Sequence, residues 1–376
     1  MSEPLTRRSL ARLLGAAAGA SLIDAPRRMA AAPASSTPAS GPIRLSANEN
    51  PYGPIAPALA ALRDSGGAAS RYPGAVRTGL RERLARLHGV APDQIALGCG
   101  SSDILRMADA AFLGPDRKIV AAEPTFEAVL GYAKVTRAEA VKVPLTADFR
   151  HDLPAMAAAC DASTGLVYVC NPNNPTGTIV GAADLAAFLE RVPPSCVVLV
   201  DEAYHHLVDD PSYRSALELA PRRENVLVAR TFSKIYGMAG MRLGYGVGSA
   251  ARIAAMDERA SFDNANEAAL AMALASLSDE ASVAERRRLL NETRRWLCAE
   301  LDRDRRRYIP SHANFVMIDV GTDVAPLIPA FREKKILVGR KFPSLPNWLR
   351  VSVGTPEQMD GFLVALREIA PAKAAA

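Results

Sequence analysis

Short apolar runs alternate with amphipathic stretches through the middle of the chain. Between the runs, apolar positions recur at helical spacing, as in residues 103–112 and 182–191, which predicts helices that bury one face. Strand–helix alternation over this length predicts an α/β domain with a mostly parallel sheet flanked by helices, and functional side chains just past the strand ends. The runs predict seven strands, at residues 94–97, 118–122, 140–143, 165–170, 196–200, 225–229 and 244–247.

After about residue 250 the pattern changes to helices, and then to mixed strands and helices. Residues 280–304 predict one long helix. Thr355, Pro356 and Gln358 have the spacing of a capping box with proline at the first helical position, which predicts a last helix that begins after Thr355. We therefore expect three parts after residue 40. An N-terminal arm (41–70) joins the small domain, a large domain covers residues 71–275, and the small α+β domain covers residues 276–376.

The first 40 residues are a separate segment. Arg7 and Arg8 precede a stretch of 11 uncharged residues, 13–23, and small residues follow around residue 30. A basic start, a short apolar stretch and an Ala-rich exit are typical of a secretory signal, and the adjacent arginines resemble a twin-arginine signal. We expect residues 1–40 to be a signal peptide with a disordered linker, and the protein to be periplasmic. The alternative is a disordered tail with a chance arginine pair, which would leave the protein in the cytoplasm.

The chain has 376 residues, 49% of them hydrophobic, and a net charge of +5, which is an ordinary globular composition. Five arginines against two acidic residues give residues 1–40 a charge of +3, so the remainder carries only +2 and does not indicate nucleic-acid binding. No apolar run is long enough to cross a membrane, so we expect no membrane association of the mature form. The five cysteines include no CxxC pair, and the spacing of residues 205–210 fits no strong metal motif, so we expect neither a disulfide framework nor a metal site.

Three polar clusters follow three of the predicted strands. They lie at residues 171–177, 201–204 and 231–234, and Arg242 comes soon after the third. In a parallel sheet such clusters meet at one edge. Pyridoxal phosphate needs a lysine for a Schiff base, a carboxylate for its ring nitrogen, donors at its phenolate oxygen, a flat side chain against its ring and a cradle for its phosphate. The candidates for the first three roles are Lys234, Asp201, and Asn174 with Tyr204.

The order of these motifs resembles that of the class I/II aminotransferases of fold type I, and most closely their histidinol-phosphate aminotransferase-like branch. The likeness covers residues 45–362, which is essentially the whole chain after the N-terminal segment. The motifs that carry it are Asn-Pro-x-Asn-Pro-Thr-Gly (171–177), Asp-Glu-Ala-Tyr (201–204), Ser-Lys-x-x-x-x-x-Gly-x-Arg (233–242), Asn-Glu-Asn-Pro-Tyr-Gly (48–53), Arg-Tyr-Pro (71–73), Glu-Pro-Thr-Phe (123–126) and Leu-Arg-Val-Ser-Val-Gly (349–354).

The resemblance implies a role for each matching residue, most of them in a cofactor-binding large domain. Lys234 would be the Schiff-base lysine and the acid/base of the reaction, and Asp201 would face the pyridine nitrogen. Phe126 would stack on the ring, and Tyr72 would reach the phosphate in the neighbouring subunit of a homodimer. The remaining implied contacts are Asn174 and Tyr204 at the phenolate oxygen, Gly100, Ser101, Ser102, Thr231, Ser233 and Arg242 at the phosphate, and Arg350, with Arg340 and Asn174, at the substrate.

The function implied is a pyridoxal-phosphate-dependent transaminase that moves an amino group between an amino acid, or an amino alcohol phosphate, and a keto acid by a ping-pong mechanism. Two alternatives stay open at this point. The same scaffold also carries other reactions, such as phosphothreonine decarboxylation and oxygen-dependent arginine oxidation. An exported binding protein on a retired enzyme scaffold is the third reading, which the intact Lys234, Asp201, Tyr204 and Arg242 disfavour.

Overall fold

A seven-stranded sheet lies at the centre of the fold in the computed structural model, which describes residues 41–218 and 223–371. The export signal predicted within residues 1–40 lies outside the described residues. The strands of this sheet and of the two smaller sheets are, in chain order, β1 (Ile43–Arg44), β2 (Ile95–Gly98), β3 (Lys118–Glu123), β4 (Ala140–Pro144), β5 (Thr164–Cys170), β6 (Val197–Asp201), β7 (Val226–Thr231), β8 (Gly244–Val247), β9 (Tyr308–Ile309), β10 (Phe315–Asp319), β11 (Ile336–Leu337) and β12 (Trp348–Ser352).

The helices predicted at residues 103–112, 182–191, 280–304 and after Thr355 are all present, and the described residues form further helices that the sequence pattern had not assigned. None of the described helices is long and apolar enough to span a bilayer. In chain order they are α1 (Ala56–Asp64), α2 (Gly74–His88), α3 (Ser101–Phe112), α4 (Ala128–Thr136), α5 (Leu153–Ala158), α6 (Ala182–Arg191), α7 (Ala250–Asp257), α8 (Glu267–Leu277), α9 (Glu280–Arg303), α10 (Leu327–Glu333) and α11 (Pro356–Ile369).

The central sheet has the order β2-β8-β7-β6-β5-β3-β4. Strands β3 to β7 are mutually parallel where they pair, and β8 runs antiparallel to both β2 and β7. This confirms the mostly parallel sheet, and the seven predicted strands all occur with ends displaced by at most two residues. The carboxyl ends of β5, β6 and β7 therefore lie side by side, as the positions of the polar clusters required.

Both faces of this sheet are covered. Val167 and Val169 of β5 belong to a buried cluster that includes Phe188 of α6, whereas Leu166 and Tyr168 belong to a second cluster that includes Ile104 of α3. Alternate residues of one strand thus reach opposite hydrophobic layers, which explains why the strand sequences are nearly continuous apolar runs.

A second sheet lies in the C-terminal part, with the order β12-β10-β9. It packs with α9 and α11 around a separate cluster that includes Leu297 and Phe362. At the start of α11, the Thr355 side chain accepts from the backbone N–H of Gln358, and the glutamine side chain accepts from Thr355, so the predicted capping box is present. Strand β1 pairs with β11, which brings the N-terminal arm to this region; the domain boundaries at residues 71 and 276 stay predictions.

Candidate active site

A cavity of about 320 Å³ lies at the carboxyl ends of β5, β6 and β7. It is lined by residues from the N-terminal arm, the sheet edge, the start of α3 and strand β12, so it collects segments that are far apart in sequence. The predicted site residues that line it are Ser101, Ser102, Phe126, Asn174, Asp201, Tyr204, Thr231, Ser233, Lys234, Arg242, Arg340 and Arg350.

Asp201 is the last residue of β6 and is buried. Its Oδ2 accepts a hydrogen bond from the Tyr168 hydroxyl at 2.8 Å, and its Oδ1 accepts from the backbone N–H of Ala203 at 3.1 Å. Burial raises the pKa of this carboxyl to about 6, against the effect of the Tyr168 hydrogen bond, which lowers it. Because burial disfavours the ionised carboxylate of Asp201, a cationic partner would stabilise it, and a protonated pyridine nitrogen is such a partner.

The Lys234 amine lies under the N-terminal arm. Its Nζ donates to the backbone carbonyl oxygen of Asn48 at 3.0 Å and, more weakly, to that of Ala47 at 3.4 Å. Burial, and to a lesser extent the nearby Arg350 charge, lower the pKa of Lys234 to about 8. A substantial fraction of the amine is therefore neutral near pH 8, which is the form that can attack a carbonyl or accept a proton.

An anion cradle lies at the start of α3, which begins at Ser101, two residues before the predicted start near Asp103. Gly100 has a φ of +81°, and a Cβ at this position would lie 2.3 Å from Nη2 of Arg242. A Cβ at Gly244 would lie 2.2 Å from the backbone nitrogen of Ser101. The two glycines therefore let the helix N-terminus and a guanidinium approach each other closely, which suits a phosphate group.

Besides those of Ser101 and Ser102, hydroxyl groups near this cradle come from the end of β7. Thr231 Oγ1 accepts from the backbone N–H of Ser233 at 3.0 Å, which holds the turn that carries Lys234. Arg242 Nη1 donates to the carbonyl oxygen of Ala239 at 2.9 Å. None of the described carboxylates forms an ion pair with Arg242, so its charge is available to an anion in the cavity.

Asn174 and Tyr204 present donors to the cavity. Asn174 Oδ1 accepts from Arg350 Nη1 at 2.7 Å, which leaves the amide NH2 of Asn174 for another partner. The Tyr204 oxygen accepts from Asn48 Nδ2 at 3.1 Å. Burial raises the pKa of Tyr204 well above its usual range, so the hydroxyl keeps its proton and acts as a donor. Both groups match the donors expected at a phenolate oxygen.

The two arginines predicted to contact the substrate both line the cavity. Arg350, in β12, is buried; its Nη2 donates to the carbonyl oxygen of Ser46 at 3.0 Å, and its guanidinium lies 5.1 Å from the Phe342 ring centroid. Arg340 is exposed, lies 4.3 Å from the same ring, and donates to Oε2 of Glu127 at 2.6 Å. Arg350 is thus fixed within the cavity, whereas Arg340 lies at its mouth.

Tyr72 lies outside this cavity. Its side chain is 84% exposed at the start of the segment that leads into α2. The predicted contact with the phosphate of a neighbouring subunit needs a second copy of the chain, so it stays a prediction.

Several residues of the site were not predicted from the sequence. Asn48 and Glu49 belong to a motif that carried the family resemblance, but the motif alone assigned them no position over Lys234. Tyr168 lies in the middle of an apolar strand, and nothing in that pattern marked its hydroxyl as a partner of Asp201. Thr125 also lines the cavity, as does Cys170, which its position at the end of a strand before the polar cluster 171–177 had placed near the site.

The residues present fit pyridoxal phosphate. The Gly100 cradle with Arg242 suits the phosphate, Asp201 suits the ring nitrogen, and the lowered pKa of Lys234 suits a covalent link through its amine. Phe126 is half-buried against the cavity, where its ring can cover one face of the cofactor.

Comparison with known proteins agrees with this geometry. Residues 40–366 match the family model described as aminotransferase class I and II. Curated histidinol-phosphate aminotransferases from Moorella thermoacetica and Symbiobacterium thermophilum are 41% identical over 330 residues (87% of this chain, 85% of the relative) and 42% identical over 327 residues (86% and 90%). The crystal structure of histidinol-phosphate aminotransferase from Sinorhizobium meliloti in complex with pyridoxal-5'-phosphate has a TM-score of 0.82 at 27% identity and covers 87% of this chain and 90% of that one. The chain therefore belongs to the class I and II aminotransferases of fold type I, and it is a pyridoxal-phosphate-dependent transaminase.

Proposed function

We propose that this transaminase takes its amino group from a donor with one strongly anionic group, and that histidinol phosphate is the first candidate. The observation that carries this proposal is the state of Arg350. Its guanidinium is buried and bonded only to neutral oxygens, of Asn174 and Ser46, and no carboxylate among the described residues pairs with it. A buried cation without a carboxylate partner favours an anionic ligand. The names of the relatives at 41% and 42% identity support a phosphate as that anion.

Two arginines of the cavity suit different anions, one of the cofactor and one of the substrate. Arg242 lies beside Gly100, where a cofactor phosphate fits, whereas Arg350 lies next to Asn174. Arg340 is already paired with Glu127 at the mouth. The cavity therefore offers one uncommitted buried cation to the substrate, which matches an amino acid carboxylate or an amino alcohol phosphate.

The chain's own residues supply binding and proton transfer in this reaction. When bound, pyridoxal phosphate supplies the electron sink that lets the donor's C–H bond break. Lys234 Nζ, as a neutral amine, would accept the proton from Cα of the donor and deliver it to C4′ of the cofactor, beyond the intervening nitrogen. Arg350 holds the donor's anionic group so that the reacting carbon faces Lys234. Two half-reactions that share one site predict ping-pong kinetics.

The test is a donor panel with one keto acid acceptor. We expect kcat/KM for histidinol phosphate to exceed that for arginine and for aromatic amino acids by at least tenfold. A panel in which histidinol phosphate is no better than these amino acids would overturn the phosphate assignment. Parallel assays without acceptor, which follow carbon dioxide release and oxygen uptake, distinguish transamination from decarboxylation or oxidation on the same scaffold.

We also propose a homodimer in which Tyr72 completes the partner's site. The support is the 84% exposure of an aromatic side chain at a position that matches a dimer residue of the family. Its test is given among the predictions in the Discussion.

We further propose that the protein is exported by a twin-arginine route, supported by the sequence of residues 1–40. An exported enzyme would meet donors outside the cytoplasm, so an amino acid donor is the competing substrate hypothesis. Arg7→Lys combined with Arg8→Lys should retain the enzyme in the cytoplasm, as measured by cell fractionation. Unchanged periplasmic activity in this double variant would contradict the proposed route.

A further inference from the structure

Asn48 joins four segments of the chain at the active site. It is buried and has a φ of 54°, a left-handed conformation that asparagine tolerates better than most residues. Its backbone N–H donates to Ser352 Oγ at 2.8 Å, and its carbonyl oxygen accepts from Asn314 Nδ2 at 3.0 Å as well as from Lys234. Its side-chain amide reaches the Tyr204 oxygen. One residue therefore contacts both Lys234 and Tyr204.

The hydrogen bonds fix which way the Asn48 amide points. Ser352 Oγ already accepts from the Asn48 N–H, and the only described acceptor for its own proton is Asn48 Oδ1, at 3.2 Å. A flipped amide would leave that serine proton without a partner. The NH2 group of Asn48 therefore faces Tyr204.

This orientation decides what the Tyr204 hydroxyl does. Asn48 Nδ2 donates to the Tyr204 oxygen at 3.1 Å, and within residues 41–218 and 223–371 no acceptor receives the tyrosine proton. The proton is thus left for the cavity that Tyr204 lines. A tyrosine that instead donated to its neighbour would offer no proton to a ring oxygen.

The backbone of the same residue orients the lysine. A neutral primary amine has two N–H groups and one lone pair. When Lys234 is free and neutral, the carbonyl oxygens of Asn48 and Ala47 receive its two N–H groups, at 3.0 and 3.4 Å. The lone pair takes the remaining direction, and because Lys234 lines the cavity, we infer that this direction leads into the cavity.

We propose that Asn48 is a positioning residue for transamination, whose side chain directs the Tyr204 proton, and whose backbone directs the Lys234 lone pair, into the cavity. The left-handed backbone of Asn48 makes both contacts compatible. This role concerns the cofactor side of the site and does not depend on which donor the enzyme uses.

Two variants separate the contributions of side chain and backbone. Asn48→Gly accepts the left-handed conformation and keeps the carbonyl oxygens, but it removes the donor to Tyr204. Asn48→Asp keeps the shape and replaces that donor by a carboxylate oxygen, so the Tyr204 proton turns toward Asp and away from the cavity. Asn291→Ala is the matched control, because Asn291 is also buried and donates one hydrogen bond, to the Leu207 carbonyl oxygen at 3.1 Å.

Three measurements are made on each protein. The first is the pH dependence of Lys234 modification by trinitrobenzenesulfonate in the cofactor-free protein, with peptide mass spectrometry. The second is the pH titration of the visible absorption band after pyridoxal phosphate is bound, and the third is kcat/KM with Tm as a stability reference. A merely structural residue would change Tm and activity but would leave both titration midpoints in place.

We expect Asn48→Gly to keep the Lys234 midpoint, to raise the midpoint of the visible band by about one pH unit, and to lower kcat/KM roughly tenfold. The band shifts upward because the Tyr204 hydroxyl, without the Asn48 amide on its oxygen, is a weaker and less directed donor, so the ring oxygen keeps more negative charge and holds the neighbouring proton. Asn48→Asp should raise both midpoints, since its carboxylate favours the ammonium form of Lys234. The control should lower Tm and move neither midpoint.

A visible-band midpoint in Asn48→Gly equal to that of the wild type would overturn the proposal for the side chain. If Asn48→Asp does not fold, the glycine variant alone decides this. A change in the Lys234 midpoint in Asn48→Gly would overturn the assignment of lysine orientation to the backbone carbonyls.

Discussion

Arg350 Nη1 donates to Asn174 Oδ1 over 2.7 Å, although the two residues lie 176 positions apart in the sequence. Arg350 is the residue expected to hold the substrate's anion, and Asn174 is expected to donate to the cofactor's ring oxygen. Because a guanidinium is only a donor, it fixes the amide oxygen of Asn174 on its own side and turns the NH2 group away. One hydrogen bond therefore links the residue predicted to hold the substrate to the residue predicted to contact the cofactor.

The first prediction concerns this arginine. Arg350→Lys should lower kcat/KM for anionic donors by roughly one to two orders of magnitude, mainly through KM, because lysine cannot form two parallel bonds to a carboxylate or phosphate. Steady-state kinetics on the donor panel measure the effect. If every anionic donor shows wild-type kinetics, Arg350 does not belong to the substrate site.

A second prediction concerns Arg340, which forms an exposed pair with Glu127. Such pairs contribute little, so Arg340→Ala should keep kcat/KM within about fivefold for donors with one anionic group. It should matter only for a donor with a second anion. Glu127→Gln is the control that frees Arg340 without removing it. A large loss in Arg340→Ala on histidinol phosphate would place this arginine in the main anion site.

Lys234 gives a third prediction. Lys234→Ala should fold and should lose turnover. In the cofactor-free wild type, amine reagents should modify Lys234 with a midpoint at about pH 8, because burial lowers its pKa. Ordinary lysines react with a midpoint near pH 10.5. Borohydride reduction of the loaded enzyme followed by peptide mapping identifies the linked lysine. Label on Lys118 or Lys134 instead would contradict the assignment.

The burial of Asp201 makes a prediction about stability. Its folded pKa of about 6 lies above the ordinary value of 3.8, so the folded protein binds more protons between these values, and its free energy of unfolding falls as pH rises through that window. Above it, Asp201→Asn should raise the free energy of unfolding of the cofactor-free protein by about 3 kcal/mol. Tyr168 can turn its hydroxyl to accept from the new amide.

The same variant should lose activity. A neutral amide does not stabilise a protonated ring nitrogen, so turnover of the loaded enzyme should fall by roughly a hundredfold or more. The stability of Asp201→Asn is compared with that of the wild type in thermal melts below pH 4 and above pH 6.5, because the stabilisation of the variant should vanish at the acidic end. Near-normal turnover would exclude the proposed contact of Asp201 with the cofactor.

The proposed shared site predicts complementation between two inactive variants. Tyr72→Ala and Lys234→Ala should each be nearly inactive alone. In a mixed population, hybrids carry one site with an intact Lys234 and the partner's intact Tyr72, so about one quarter of the wild-type activity should return. Co-expression with two affinity tags isolates the hybrids. Hybrids without activity would show that Tyr72 acts, if at all, within its own subunit.

The order of elements in this chain follows from local sequence. Apolar runs of strand length, helical spacing in residues 182–191, and the Thr355 capping box are short-range signals that depend on side-chain period and backbone sterics. The site residues at or shortly after a strand end, such as Asp201 and Lys234, were predictable for the same reason, because strand ends in a parallel sheet share one edge.

Contacts between distant segments depended on the tertiary structure. The antiparallel direction of β8, the Tyr168 hydroxyl on Asp201, and the position of Asn48 over Lys234 have no local signal. Each depends on how separate elements pack, because a hydrogen bond between residues far apart in sequence forms only after the intervening chain has folded. The sequence by itself thus determined which residues could carry the chemistry, and packing decided which partners hold their protons and charges in place.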